Sequence, residues 1–187
     1  GCDTILAQMA AECLHVTTDE IFVSGADTDS SPYDSGSYAS STTYITGQAV
    51  VKAATELEKR ICQVAAGMLE CDPEDVEFDG RKATDVKTGK SVTSEEIGYK
   101  AQVCNEIALQ VTESHSSPVS PPPYMAGAVE IELDKETGHV EILDYAAVVD
   151  CGTVVNPNLA TVQVEGGLGQ GIGMTLYENI QYTEKGK

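Results

Sequence analysis

Basic residues are scarce in this chain. Its 187 residues contain 11 Lys and Arg against 30 Asp and Glu, which gives a formal net charge of −19. The resulting field repels phosphate backbones and anionic membrane surfaces, so general nucleic-acid binding and membrane binding are excluded as functions. An anionic ligand can bind only where backbone N–H groups and helix N-termini create a local positive patch.

Long apolar runs are also missing, since charged residues or glycines interrupt each of them well before the ~20 residues that cross a bilayer. The 6 cysteines form no C-x-x-C pair and lack the Cys/His spacing that zinc needs. We interpret them as reduced, mostly buried thiols. Because no charged segment followed by an apolar one opens the chain, the sequence predicts a cytoplasmic location.

Catalytic and metal-binding signatures are equally sparse. The 3 histidines have no partner at catalytic or metal spacing. Asp27, Asp29 and Asp34 resemble a loose calcium loop, but the required ladder of ligands and its closing glutamate are absent. No G-x-S-x-G elbow occurs either. We therefore assign no catalytic residue and no direct metal ligand in this chain.

Apolar residues at helical spacing predict helices. Residues 4–14 are expected to form a short amphipathic helix with Asp3 or Thr4 as its N-cap. Residues 47–71 carry an apolar stripe opposite a charged face and predict a long helix. Ser94, followed by two glutamates, is expected to cap a further short helix. The last apolar helical pattern lies within residues 159–178.

Alternating and β-branched residues predict strands. A short strand is expected at 20–24, a tight hairpin at 76–86 around Asp79-Gly80, and a long antiparallel hairpin from 125–133 and 139–149. The predicted fold class is therefore α+β, with mixed helices and antiparallel strands. A Ser/Pro segment at 116–123 separates two predicted portions, 1–115 and 116–187.

A loop crowded with Ser, Thr, Gly and Tyr occupies residues 25–46, directly before the long helix. Its central part runs Ser35-Gly36-Ser37-Tyr38-Ala39-Ser40-Ser41-Thr42-Thr43. Hydroxyls and free N–H groups gathered at a helix N-terminus can hold a phosphate without Lys or Arg. The alternative is a solvated loop that only caps the helix. The residues themselves leave both interpretations open.

A glycine-rich stretch lies inside the last helical pattern. It runs Glu165-Gly166-Gly167-Leu168-Gly169-Gln170-Gly171-Ile172-Gly173. Each glycine inside a helix costs about 1 kcal/mol relative to alanine, so close backbone approach by a ligand or another helix is the expected compensation. A dinucleotide fingerprint is not present in any register. Gln170 favours a ligand, because a lone amide suits the edge of a flat heterocycle.

Three stretches in this order resemble the molybdopterin-binding region of the molybdenum hydroxylases, the family of xanthine dehydrogenase, aldehyde oxidase and 4-hydroxybenzoyl-CoA reductase. The opening Gly1-Cys2-Asp3-Thr4 is similar to the end of the family's G-x-G-x-x-T motif. The segment Tyr33-Asp34-Ser35-Gly36-Ser37-Tyr38-Ala39-Ser40-Ser41-Thr42, followed by Gly47-Gln48-Ala49-Val50, is similar to the loop that passes beside molybdenum. Asp150-Cys151-Gly152, Asn156-Pro157, Val164-Glu165-Gly166 and Gln170-Gly171-Ile172-Gly173 resemble its D-x-G, N-P, x-E-G and Q-G-x-G elements.

The resemblance implies roles for particular residues. Ala39 is expected near molybdenum, Ser40 and Thr42 against the pterin or its phosphate, and Gln170 on the pterin ring. The implied cofactor-binding residues are Gly1, Thr4, Tyr38, Ala39, Ser40, Ser41, Thr42, Gln170 and Gly171.

The same resemblance implies a fragment of the molybdopterin-binding large subunit of an oxidoreductase acting on aldehydes or N-heteroaromatic compounds. The family's catalytic glutamate and several cofactor loops lie outside the matched region, so the chain alone is expected to be inactive. Molybdopterin with molybdenum, in its cytosine dinucleotide form, is the expected cofactor. Iron–sulfur clusters and FAD are expected on partner domains or subunits, in an oligomeric complete enzyme. The alternative is a noncatalytic structural domain that binds no cofactor.

Overall fold

The computed structural model describes residues 1–104 and 107–187. It divides into two compact units, Gly1–Ser120 and Pro121–Lys187. Each unit combines helix with antiparallel strands, which confirms the predicted α+β class. The assignment of 1–115 and 116–187 to two portions of a cofactor-binding region stays a prediction.

The first unit is built on two helices that run in the same direction. Helix α1 spans Cys2–Leu14, and helix α2 spans Thr46–Leu69. Met9 packs against Gly47 near the start of α2, whereas further along the pair Cys13 hydrogen-bonds to Thr55. Contacts that advance together along both helices require parallel axes. The N-termini of α1 and α2 therefore lie at the same end of the pair.

The predicted cap of α1 is wrong. Gly1 is the N-cap and supplies no side-chain hydrogen bond, while Asp3 and Thr4 lie inside the first turn. Helix α2 confirms the prediction for 47–71 and begins one residue earlier. It ends at Leu69 because Glu70 turns left-handed, with a φ of 58°.

The core of the first unit lies between the second half of α2 and a small antiparallel sheet. Strands β1 (Val76–Phe78) and β2 (Lys82–Asp85) form the predicted hairpin, and β3 (Ser91–Thr93) pairs with β2. Helix α3 (Ser94–Cys104) closes this side. Burial of apolar side chains on all three elements stabilises the packing. The buried cluster consists of Val64, Ala65, Ala66, Val76, Ala83 and Ile97.

Thr93, and not Ser94, caps α3. The Thr93 hydroxyl accepts a hydrogen bond from the Glu96 N–H at 3.2 Å, and the Glu96 carboxylate accepts one from the Thr93 N–H at 2.8 Å. This reciprocal pair is a capping box, placed one residue earlier than the sequence suggested. The Ser94 hydroxyl instead donates to the carbonyl oxygen of Gly80.

The strand predicted at 20–24 is also wrong. Thr18–Glu20 forms a 3-10 turn, and residues 21–25 have no regular structure. Within residues 1–104 and 107–187 no strand pairs with this segment, and the Phe22 side chain is almost fully exposed. A short β-rich sequence forms a strand only where a neighbouring strand accepts its backbone hydrogen bonds.

The second unit contains a long hairpin and one helix. Strands β4 (Tyr124–Leu133) and β5 (Val140–Asp150) confirm the predicted hairpin, with an irregularity in register between Glu130 and Ile131. Helix α4 spans Pro157–Leu176 and confirms the last predicted helix. Its N-cap is Asn156, whose side-chain oxygen accepts a hydrogen bond from the Leu159 N–H at 3.0 Å. Proline at the first helical position suits this start because it needs no hydrogen-bond acceptor there.

The buried carboxylate of Asp85 predicts an acid-sensitive fold. Its oxygens accept hydrogen bonds from the Thr88 hydroxyl and the Lys87 N–H, and these bonds lower the pKa of Asp85. A lowered pKa stabilises the folded state above about pH 4, the ordinary aspartate range, and that contribution is lost as the pH falls through the lowered value. Asp85→Asn is therefore expected to reduce stability at neutral pH and less so in acid.

Urea unfolding of the wild type and Asp85→Asn between neutral and acid pH measures this difference. Comparison of the two proteins removes the general effect of titrating the many other carboxylates. Glu77→Gln, on the exposed side of β1, is the matched control. A stability difference between wild type and Asp85→Asn that stays constant with pH contradicts the expectation.

Candidate cofactor site

The Ser/Tyr loop forms a strained, exposed bend before α2. Tyr38–Ser40 makes a 3-10 turn in which Ala39 and Ser40 have φ values of 56° and 54°. For residues with a side chain this left-handed conformation costs about 1–2 kcal/mol each. Strained non-glycine residues of this kind concentrate at functional sites.

The loop has exposed side chains in its turn, and the two hydroxyl side chains that follow the turn are partly or fully buried. Tyr38, Ala39 and Ser40 are exposed, whereas Ser41 is buried and Thr42 is partly buried. The Ser41 hydroxyl donates to the Gly36 carbonyl oxygen at 3.4 Å, and the Thr42 hydroxyl donates to the Ser37 Oγ at 2.9 Å. Ser41 and Thr42 therefore shape the bend, and the turn before them faces outward.

The loop continues directly into the start of α2. The Ile45 N–H donates to the Ser41 carbonyl and the Gly47 N–H to the Thr42 carbonyl, so a helical turn already begins at Ser41. These two N–H groups are therefore already paired, and what the start of α2 adds beside the loop is the positive end of the helix dipole. The hydroxyl-rich loop and the N-terminus of α2, both predicted from the sequence, thus lie next to each other.

Gly1 and Thr4 lie at the same end of the helix pair. Both are exposed in the first turn of α1, whose N-terminus shares this end with the N-terminus of α2. Each N-terminus carries the positive end of its own helix dipole, which favours an anion at the first turn even in an acidic protein. No Lys or Arg occurs between residues 1 and 51. Anion binding at this end therefore depends on N–H and hydroxyl donors.

Gln170 and Gly171 lie near the C-terminal end of α4 in the second unit. Gln170 is exposed, and an added Cβ on Gly166, Gly167, Gly169 or Gly171 meets no atom within 4 Å. At Gly173 an added Cβ would meet the Glu178 carboxylate oxygen at 2.6 Å, so within the second unit a close approach is made at this one glycine of the stretch. The convergence of Gln170 with Ser40 on one cofactor stays a prediction.

The structure corrects the expectation for the cysteines. All of them are free thiols, but none is buried: Cys2, Cys104 and Cys151 are exposed, and the others are half-buried. Partial burial raises the pKa of the Cys13 and Cys62 thiols. Within residues 1–104 and 107–187 no group of three or more His, Cys, Asp or Glu side chains is placed to hold a metal ion.

Sequence reasoning missed three residues that organise this unit. Asp34 bonds to both ends of the loop, and Gly80 packs directly on the end of α1. Thr93 caps α3. The Asp79-Gly80 pair and the Thr-x-x-Glu pattern were readable signals, and Asp34 stood in the segment that carries the family resemblance, but no sequence pattern indicated these contacts. No helix in the described parts of the chain is long and apolar enough to cross a membrane.

Comparison with known proteins identifies relatives over the whole chain. The probable hypoxanthine oxidase of Escherichia coli K12 is 34% identical over 187 residues, which are 100% of this chain and 20% of that protein. The nicotine 6-hydroxylase large subunit of Paenarthrobacter nicotinovorans is 32% identical over 100% of this chain and 24% of its own length. The chain thus spans about a fifth to a quarter of these relatives.

Solved structures agree. The Cu,Mo-CO dehydrogenase in its carbon monoxide reduced state superposes with a TM-score of 0.86 at 29% identity, over 99% of this chain and 24% of that one. Quinoline 2-oxidoreductase from Pseudomonas putida 86 gives 0.82 at 28% identity, over 100% of this chain and 25% of that one. The family model of the molybdopterin cofactor-binding domain matches residues 1–187. The chain therefore belongs to the molybdopterin cofactor-binding domains of the molybdenum hydroxylases.

Proposed function

We propose that this chain supplies part of the cofactor cradle of a molybdenum-dependent hydroxylase. The observation that carries the proposal is the exposed left-handed bend of Ala39 and Ser40, whose hydroxyl and N–H groups directly precede the N-terminus of α2, at the end of the helix pair that also holds the N-terminus of α1. These donors suit molybdopterin, because its phosphate requires N–H and hydroxyl groups where the protein offers no basic side chain.

The bend and the start of α1 hold the cofactor in this account. Ser40 and Thr42 would contact the pterin or its phosphate, and the Thr42 hydroxyl also holds the bend through its hydrogen bond to Ser37. Tyr38 would line the same side of the bend as Ser40. Ser41 supports the bend through its hydrogen bond to the Gly36 carbonyl oxygen. Ala39 would stand near molybdenum, where its methyl group would leave room for the metal and exclude water.

The first turn of α1 and the glycine surface of α4 complete the cradle. Gly1 and Thr4 add N–H groups at the start of α1. Gln170 hydrogen-bonds the edge of the pterin, since its amide both donates and accepts. Gly171 beside it permits close approach, because no side chain covers the backbone there.

When bound, the molybdenum cofactor supplies oxidative hydroxylation at an electron-poor carbon. We infer that the substrates of the whole protein are N-heteroaromatic compounds or aldehydes. Relatives named for hypoxanthine, nicotine and quinoline support the heteroaromatic class. No catalytic residue is assigned within this chain, and the carboxylates of the described residues are given no part in proton transfer.

The proposal has finer parts, which the family resemblance implies. We infer the cytosine dinucleotide form of the cofactor and a cytoplasmic location. Several relatives are named as a large subunit, a large chain or one subunit of a complex. This supports partner domains or subunits that carry iron–sulfur clusters and FAD, in an oligomeric assembly with the rest of the large subunit.

Metal and pterin analysis of the natural full-length protein tests this function. Purified from cells grown with molybdate, it is expected to hold stoichiometric molybdenum and pterin, and protein from cells grown with tungstate is the control. Hydroxylation of a panel of purines, pyridines, quinolines and aldehydes then identifies the substrate class. Full-length protein that contains neither molybdenum nor pterin would overturn the proposal in favour of a noncatalytic structural domain.

A further inference from the structure

Asp34 connects the beginning of the Ser/Tyr loop to the beginning of α2. Its Oδ1 accepts a hydrogen bond from the Gly36 N–H at 2.7 Å, and its Oδ2 accepts one from the Thr46 hydroxyl at 2.9 Å. Thr46 is the first residue of α2. One carboxylate therefore closes residues 34–46 into a ring that contains the strained turn Tyr38–Ser40.

The ring matters because the bend is unfavourable by itself. Ala39 and Ser40 both adopt the left-handed conformation, which a free loop populates only rarely. Two further side-chain hydrogen bonds lie inside the ring, from Thr42 to Ser37 and the longer one from Ser41 to Gly36. Fixing the ends of a loop lowers the entropy it loses when its centre is held in one conformation. Asp34 therefore stabilises the bend from outside it.

The negative charge of Asp34 argues for this role and against direct contact with a ligand phosphate. Like charges at short distance repel, and nothing basic lies nearby in the sequence to offset them. Both carboxylate oxygens are already engaged, one by a backbone N–H and one by a hydroxyl. The Asp34 side chain thus holds the loop in place, while the exposed turn Tyr38–Ser40 is left to contact a ligand.

We propose that Asp34 is a positioning residue for the molybdenum cofactor. It holds Tyr38, Ala39 and Ser40 in the geometry that receives the cofactor, and it does not itself touch the cofactor. This inference rests on the proposed function. In this role Asp34, the acid of the Asp-x-Gly-Ser-Tyr segment, acts on the turn only through its hydrogen bonds with Gly36 and Thr46.

Cofactor retention in the full-length protein tests the role of Asp34. Asp34→Ala is expected to weaken cofactor binding about tenfold, as the loss of two hydrogen bonds implies. It is measured as molybdenum and pterin remaining after extended dialysis. Asp34→Asn is expected to restore retention, because its amide oxygen can accept from Gly36 and its NH₂ can donate to the Thr46 oxygen.

Two further variants separate positioning from general structure. Thr46→Val removes one end of the connection, and combined with Asp34→Ala it should cause no further loss, since both act through the same bond. Asp29→Ala removes the same charge from an exposed site in the same connecting segment and should retain the cofactor fully. Because the loop is exposed, the thermal unfolding midpoint of the cofactor-free full-length protein should be unchanged in all of them.

Each outcome decides the matter. Full retention in Asp34→Ala, equal loss in Asp29→Ala, failure of Asp34→Asn to rescue, or a lowered unfolding midpoint in parallel with the loss would overturn the positioning role. Wild-type full-length protein without molybdenum or pterin would instead overturn the proposed function, so the two failures are distinguishable.

Discussion

Replacement of Gly80 by alanine is expected to destabilise the first unit by at least about 3 kcal/mol. A Cβ at this position would lie 2.0 Å from the carbonyl oxygen of His15 and 2.7 Å from its carbonyl carbon. Both atoms belong to the backbone at the end of α1, so no side-chain rotation relieves the clash. The φ of Gly80 is +89°, which adds left-handed strain for any other residue.

Urea unfolding of the chain, followed by circular dichroism, measures this effect. Gly89→Ala is the matched control, because Gly89 has a φ of +73° but open space around its Cα. That substitution is expected to cost only the conformational strain of about 1–2 kcal/mol. Equal destabilisation by the two variants would show that the contact between the hairpin turn and α1 is not close. If Gly80→Ala does not fold, the accumulation of soluble Gly89→Ala under the same conditions provides the comparison.

Ala39→Val is expected to abolish most cofactor binding in the full-length protein, with molybdenum and pterin reduced at least about tenfold. Ala39 has a φ of 56°, a conformation that β-branched side chains almost never adopt. The bend must therefore open or shift, and the exposed turn that faces the cofactor is lost. Because the turn is exposed, the unfolding free energy of the chain should change little.

Ala39→Gly is the control for this experiment. Glycine adopts positive φ readily, so the bend persists and the cofactor should be retained. Molybdenum is measured by mass spectrometry and the pterin by the fluorescence of its oxidised form. Normal cofactor content in Ala39→Val, or a loss of the same size in Ala39→Gly, would contradict the role of the bend.

Long periodic elements were predictable from the sequence. The apolar stripe within 47–71 places Ala54, Val64 and Ala65 on the buried side of α2, and their spacing alone is sufficient to show it. The alternation at 125–133 and 139–149 likewise predicts β4 and β5. Elements of ten residues or more repeat their pattern often enough to exclude other structures.

Short elements depended on contacts that a local pattern does not contain. The β-rich segment at 20–24 has no partner strand among the described residues, and β3 forms only because β2 lies beside it. The N-cap of α3 is Thr93, one residue before the predicted Ser94, because Thr93 and Glu96 hydrogen-bond reciprocally. The burial of the cysteines was overestimated because side chains at helix ends and on the connecting segments remain accessible.

For the site, the sequence identified the segments but not their arrangement. The Ser/Tyr loop was recognisable from its composition and from the helix that follows it. The left-handed pair Ala39 and Ser40 was not, because neither residue is typical of that conformation. The parallel direction of α1 and α2, which brings Thr4 to the same end as the loop, follows only from contacts between distant residues such as Met9 and Gly47.

The position of molybdenum in crystals of the natural full-length protein tests the central claim most directly. Anomalous scattering at the molybdenum edge is expected to place the metal beside Ala39, with the pterin between the Ser40 hydroxyl and the Gln170 amide. A molybdenum position remote from Ala39, or Ser40 and Gln170 facing away from a common cofactor, would contradict the account.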